Sequence, residues 1–128
     1  MTGGEVVRVL VDDVRSFRDG RPCLVARSSS EACSLLESLA GQRIDELWLD
    51  HDLVGEDTVW PVVELLCSRP FEVGAVAVHA SRSGPAIRMV QALRTAGYAV
   101  RRDYDLRLWT HQKLSDPAGK LDIRRGRS

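Results

Sequence analysis

The feature that most constrains this chain is a strand-sized apolar run that breaks off at a chemically active residue, and that occurs three times. Val6–Val11 reads Val-Val-Arg-Val-Leu-Val and stops at Asp12-Asp13. Glu46–Asp50, Glu-Leu-Trp-Leu-Asp, runs into His51-Asp52, and Val73–Val78 runs into His79. Runs this short and this continuously apolar suit strands covered on both faces. Two shorter candidates, Pro22–Arg27 and Tyr98–Arg102, bring the expected number of strands to about five. Amphipathic segments lie between the later ones. Ser28 and Glu31 form a capping box that opens a helix with Ala32, Leu35, Leu36 and Leu39 on one face and Gly41 as its stop. A second helix is expected near Thr58–Ser68, with Pro61 tolerated in its first turn, and a third from Gly84-Pro85 to Gly97.

Strands alternating with helices predict an α/β fold: a single-domain, doubly wound parallel sheet of about five strands with helices on both faces. Its strand ends would then share one edge, where open α/β sheets bind ligands. The expected domain spans residues 1–102. Residues 103–128 read as a basic tail with little structure beyond one short element around Leu106–Lys113.

Composition agrees with one globular unit. The 128 residues are 44% hydrophobic, enough for one core, and the charge balance of 18 basic against 18 acidic side chains is far from that of a disordered chain. That balance hides an asymmetry, since residues 101–128 carry 8 basic and 4 acidic side chains. Sixteen of the basic residues are Arg, so an Arg-rich tail that holds nucleic acid enters as a minor alternative. No apolar stretch reaches the roughly 18 residues of a membrane span. The Met-Thr-Gly-Gly-Glu start lacks the plan of a signal peptide, so the expectation is a cytoplasmic protein with no membrane partner. Cys23, Cys33 and Cys67 are odd in number and widely spaced, which predicts neither a disulfide frame nor a zinc knuckle.

The strand ends supply the candidate chemistry. Asp12, Asp13 and Asp50, if gathered, repel one another, and a hard divalent cation such as Mg²⁺ or Mn²⁺ would offset that cost. His51 and His79 fall on the same predicted edge, where a neutral imidazole takes a proton and an imidazolium gives one. Asp52 is placed to orient His51 or to add a ligand. Ser81 and Gly84, at the start of the third helix, offer an anion site, to which Arg15 and Arg82 could add guanidinium contacts. The alternative for each feature is structural: Asp as a turn residue, His as a packed residue and Ser as a helix cap.

Two acids after the first strand, an Asp after the third and a small hydroxylic residue after the fourth resemble a response-regulator receiver domain. The Lys that ends the fifth strand of a signalling receiver is missing, since Val100-Arg101-Arg102 stands there and no Lys precedes residue 113. The motifs Asp12-Asp13-Val14-Arg15, Leu49-Asp50-His51-Asp52-Leu53 and Val78-His79 are similar to those of a narrower family, the cyclic-phosphate processing receiver domain. Asp52–Thr58 also resembles that family's loop into its next helix. The third motif departs, with Ala80 and Arg82 where Ser and Asn are expected. The resemblance covers about Val6 to Gly97. It implies metal ligation by Asp12, Asp13 and Asp50, an acid–base pair of His51 and His79, and support from Asp52 and Arg15. It further implies, as partner and substrate, a nucleotide or RNA end bearing a cyclic phosphate. Competing expectations are a divergent phosphoacceptor receiver, with a protein partner or a homodimer, and a nucleotide-binding module without turnover.

Overall fold

A computed structural model describes residues 6–80, 83–102 and 108–110. In chain order the elements are β1 (Arg8–Val11), β2 (Arg15–Phe17), β3 (Leu24–Ala26), α1 (Ser29–Ser38) and β4 (Ile44–Asp50). They continue with α2 (Trp60–Ser68), β5 (Val73–His79), α3 (Ser83–Thr95), β6 (Val100–Arg102) and β7 (Leu108–Thr110). Five strands form one all-parallel sheet in the order β3-β1-β4-β5-β6. Numbered along the chain, its members run 2-1-3-4-5, the receiver order of the flavodoxin-like α/β folds. The chain leaves β1 towards one edge and returns past it to β4, so β1 and β4 are neighbours with connections departing in opposite directions. The crevice outside their carboxyl ends is the switch point of the topology.

Side-chain alternation along each strand divides the core in two. Val9 and Val11 of β1, Leu47 and Leu49 of β4, and Val76 and Val78 of β5 share one cluster with Ala32 and Leu36 of α1, Val62 and Leu66 of α2, and Met89 and Leu93 of α3. All of these residues are buried, and truncating any of the leucines to Ala would cost about 2–5 kcal/mol. The intervening Leu10, Trp48 and Ala77 form a second cluster with Phe17 of β2. Phe17 meets Trp48 edge-on, 5.0 Å between centroids and 86° between planes, a preferred aromatic geometry.

The expectation of helices on both faces is therefore met on one face only among the described residues. The stretch from Asp12 to Cys23 contains Gly20 and Pro22 and no helical apolar stripe, so it forms β2 instead of a helix. β2 pairs antiparallel with β7, Ser16 opposite Trp109, and β7 falls within the short element expected around Leu106–Lys113. The rest of the tail lies outside the described residues.

Helix ends follow the expected chemistry. Ser28 Oγ accepts from the Glu31 amide at 3.1 Å, while the Glu31 carboxylate reaches one residue further back than in the usual box and accepts from the Arg27 amide at 2.7 Å. Gly97, with φ at 102°, ends the last turn after α3. Cys23, Cys33 and Cys67 are free thiols. Among the described residues, no helix is long and apolar enough to cross a membrane.

Candidate active site

Asp12 stands where β1 runs out. Its amide still donates to the Ala26 carbonyl at 3.1 Å, and its side chain is fully buried. Oδ1 accepts from the amides of Val14 at 3.0 Å and Arg15 at 2.8 Å, closing a tight turn in which an aspartate mimics backbone. Oδ2 is buried with no hydrogen-bond partner among the described residues. Burial is the largest influence on this carboxyl and raises its pKa above the ordinary value, against the pull of the two amides and of the Arg15 charge.

Asp50 ends β4, beside β1 in the sheet, and is 5% exposed. The half-buried Asp13 completes the group: one carboxylate oxygen from each of Asp12, Asp13 and Asp50 lies within 4.8 Å of the others. The switch point thus gathers the three acids expected at the ends of two strands, Asp12 and Asp13 after one and Asp50 on the other. They are also the residues that could hold a metal ion.

The two histidines arrive on adjacent strands. Asp50 and His79 are register partners between β4 and β5, and the His51 amide donates to the His79 carbonyl at 3.3 Å. His51 is buried, and its Nδ1 lies 2.9 Å from Asp52 Oδ1, so the carboxylate accepts and the Nδ1 tautomer carries the proton. Arg15 Nη1 meets His79 Nε2. A guanidinium can only donate, so Nε2 is the acceptor and is unprotonated in this arrangement. Arg15 thereby joins the parts of the site, its amide on Asp12 and its guanidinium on His79.

The loop after β4 is braced from within. Leu53 donates to the Asp57 carbonyl at 3.0 Å, Asp57 donates to the Val54 carbonyl at 3.1 Å, and Gly55 turns between them with φ at 64°. Asp57, at the end of a polar turn, carries no motif of its own, yet it has a part in the site. Its carboxylate accepts from the Ser29 amide and hydroxyl, both at 2.7 Å, tying this loop to the first turn of α1. Only its position in a polar turn hinted at such a role. Of the expected anion-binding residues, Gly84 lies exposed in the first turn of α3. Ser81 and Arg82 lie outside the described residues.

An acid-lined crevice at the switch point of a 2-1-3-4-5 parallel sheet defines a receiver-like domain. The family model for the cyclic-phosphate processing receiver domain matches residues 7–95, and the chain belongs to that family. No curated protein and no solved structure matches it significantly.

Proposed function

We propose that this receiver-like domain is a cation-dependent phosphoesterase that opens a cyclic phosphate on a nucleotide or an RNA end. The observation that carries this reading is the fully buried Asp12 Oδ2, unpartnered among the described residues, in a group of three acids beside two histidines. A buried carboxylate oxygen without a donor is costly, and a bound cation would supply the missing partner. The donor set is all carboxylate oxygen, which fits Mg²⁺ or Mn²⁺ better than a softer metal. Asp12, Asp13 and Asp50 would hold the ion. When bound, it would offset the charge of the phosphodiester and of its transition state.

The remaining work falls to the chain's own side chains. His79 takes a proton from the attacking water through Nε2 once the incoming phosphate draws Arg15 onto its oxygens, a stronger charge-assisted contact than the imidazole offers. The water oxygen bonds to phosphorus and one ring P–O bond breaks. The ribose oxygen that leaves receives a proton from His51, whose ring Asp52 keeps oriented. The product is a phosphate monoester and a free hydroxyl, with one water consumed.

A phosphorus NMR time course of a 2′,3′-cyclic nucleotide, with Mg²⁺, with Mn²⁺ and with EDTA, tests this. Loss of the cyclic signal only with metal, abolished in His79→Ala, is the expected result. Turnover that survives His79→Ala would overturn the two-histidine scheme. An unchanged signal on both mononucleotide and RNA-end substrates would overturn the esterase reading, and acetyl phosphate labelling of Asp50 would then test a phosphoacceptor.

A further inference from the structure

We propose that Arg27, which none of the three motifs contains, is a positioning residue for the acidic site. The inference rests on the reading of Asp12, Asp13 and Asp50 as a cation site. Arg27 follows β3 directly, and its guanidinium reaches across to the loop after β1. A single nitrogen, Nη1, donates to the Asp12 carbonyl at 3.1 Å and to the Arg15 carbonyl at 2.8 Å. Those two carbonyls bound the Asp12-Asp13-Val14-Arg15 turn. Asp12 Oδ1 closes the same turn from inside through the amides of Val14 and Arg15. The turn is thus clamped on its donors by a carboxylate and on its acceptors by a guanidinium.

The clamp has a definite job. Without a cation, Asp12, Asp13 and Asp50 repel one another, and Asp13, in the middle of the turn, can escape by a change of backbone torsions. Holding the carbonyls on either side of Asp13 resists that escape, and the Arg27 charge lies against the strand end that bears Asp12. It also fixes where the Arg15 side chain sets out towards His79.

Arg27 is itself well anchored. Its amide donates to Glu31 Oε1 at 2.7 Å, and the preceding Ala26 carbonyl accepts from Asp12. Two residues further on, Ser29 holds Asp57 of the other site loop. The β3–α1 junction therefore grips the loop after β1 with a side chain and the loop after β4 with a helix cap. Its residues touch neither substrate nor metal in this assignment, and act by pre-organising those that do.

The test uses the full chain with Arg27→Ala, the conservative Arg27→Lys, and Arg69→Ala as a control that breaks the exposed Arg69–Glu37 pair elsewhere. Two readings are taken: Mn²⁺ affinity from the free-ion electron paramagnetic resonance signal, and amide hydrogen exchange without metal. Arg27→Ala should weaken Mn²⁺ binding by about tenfold or more. It should also speed exchange at the Val14 and Arg15 amides by about tenfold, leaving the β4 and β5 amides unchanged. Arg27→Lys should stay within about threefold of the parent on both, since an ammonium can serve the two carbonyls without the planar fork. Arg69→Ala should change neither.

Unchanged Mn²⁺ affinity and exchange in Arg27→Ala would overturn the proposal. So would acceleration of the β4 and β5 amides by the same factor as Val14 and Arg15, which is the mark of general destabilisation. If the parent protein binds no Mn²⁺, the cation reading of the site fails, and the exchange pattern alone decides the role of Arg27. If Arg27→Ala does not fold, Arg27→Gln takes its place in both readings.

Discussion

The two ends of the parallel sheet treat the same side chain in opposite ways. At the end where strands begin, Asp45 accepts from the Val7 amide at 2.8 Å and from Arg43 at 3.2 Å, and Arg43 also pairs with Glu72 at 3.5 Å. The Val7 amide above all, with help from Arg43, holds the Asp45 carboxyl below its ordinary pKa. At the end where strands finish, Asp12 has two amides on one oxygen and, among the described residues, no partner on the other, and burial pushes its pKa up. One end satisfies its charges internally and stabilises the fold. The other gathers like charges and leaves one buried carboxylate oxygen, Asp12 Oδ2, without a partner among the described residues, a local cost of the kind that active sites carry.

The sharpest way to break this contrast is Asp50→Ala. Loss of one of three carboxylates should weaken Mn²⁺ affinity on the order of 100-fold, read by titration of the free-ion signal, while circular dichroism still reports a folded chain. An unchanged affinity would mean that the acids do not act as one site.

Next comes a lesion confined to the opposite end. A Cβ added at Gly74 would lie 2.7 Å from the Asp45 carbonyl oxygen and 2.6 Å from Arg43 Nη2. The arginine can swing away but the backbone oxygen cannot. Gly74→Ala should therefore cost about 2 kcal/mol in urea unfolding and leave Mn²⁺ affinity unchanged.

Asp12→Asn should separate stability from function. A raised folded-state pKa means that ionised Asp12 opposes folding at neutral pH. Below the unfolded value of 3.8 both states are protonated and the penalty vanishes; it grows as pH rises through the folded-state pKa. In EDTA at neutral pH the variant should be more stable than the parent by about 1 kcal/mol, even though the proposed cation site would lose a ligand. The gap should close towards acid pH.

The smallest effect is expected at Asp45→Asn, with the opposite sign. A depressed pKa means that ionised Asp45 favours folding above 3.8, and that this help is lost as pH falls through the folded-state value. The variant should be slightly less stable than the parent at neutral pH and indistinguishable from it in acid. Parallel rather than opposed trends for the two variants would remove the contrast between the two ends.

Much of this architecture could be read from local patterns. The apolar runs that became β1, β4 and β5, the Ser28 cap and the glycine at 97 each depend on near neighbours in the chain. So did the candidacy of Asp12, Asp13, Asp50, His51 and His79, because a polar residue just after an apolar strand must emerge at the sheet edge whatever the partner strand. The 12–23 segment was harder to read. Its three-residue β2 has no periodicity of its own and is held by pairing with β7, some 90 residues away, and by Phe17 packing on Trp48.

By itself, the sequence determined which side chains could stand at the carboxyl edge and which faces of the helices had to be buried. The reasons are local: alternation along strands, turn chemistry and capping. Tertiary structure alone decided that β1 lies beside β4, which joins the Asp12-Asp13 pair and the distant Asp50 into one group within 4.8 Å. It also decided that the described helices cover one face, and that Arg27 and Asp57 hold the two site loops. Apart from the Ser29 hydroxyl on Asp57, those last contacts run to or from backbone groups distant in the chain. A backbone carbonyl or amide is the same in every residue, so no pattern of side chains announces which one a guanidinium or a carboxylate will find.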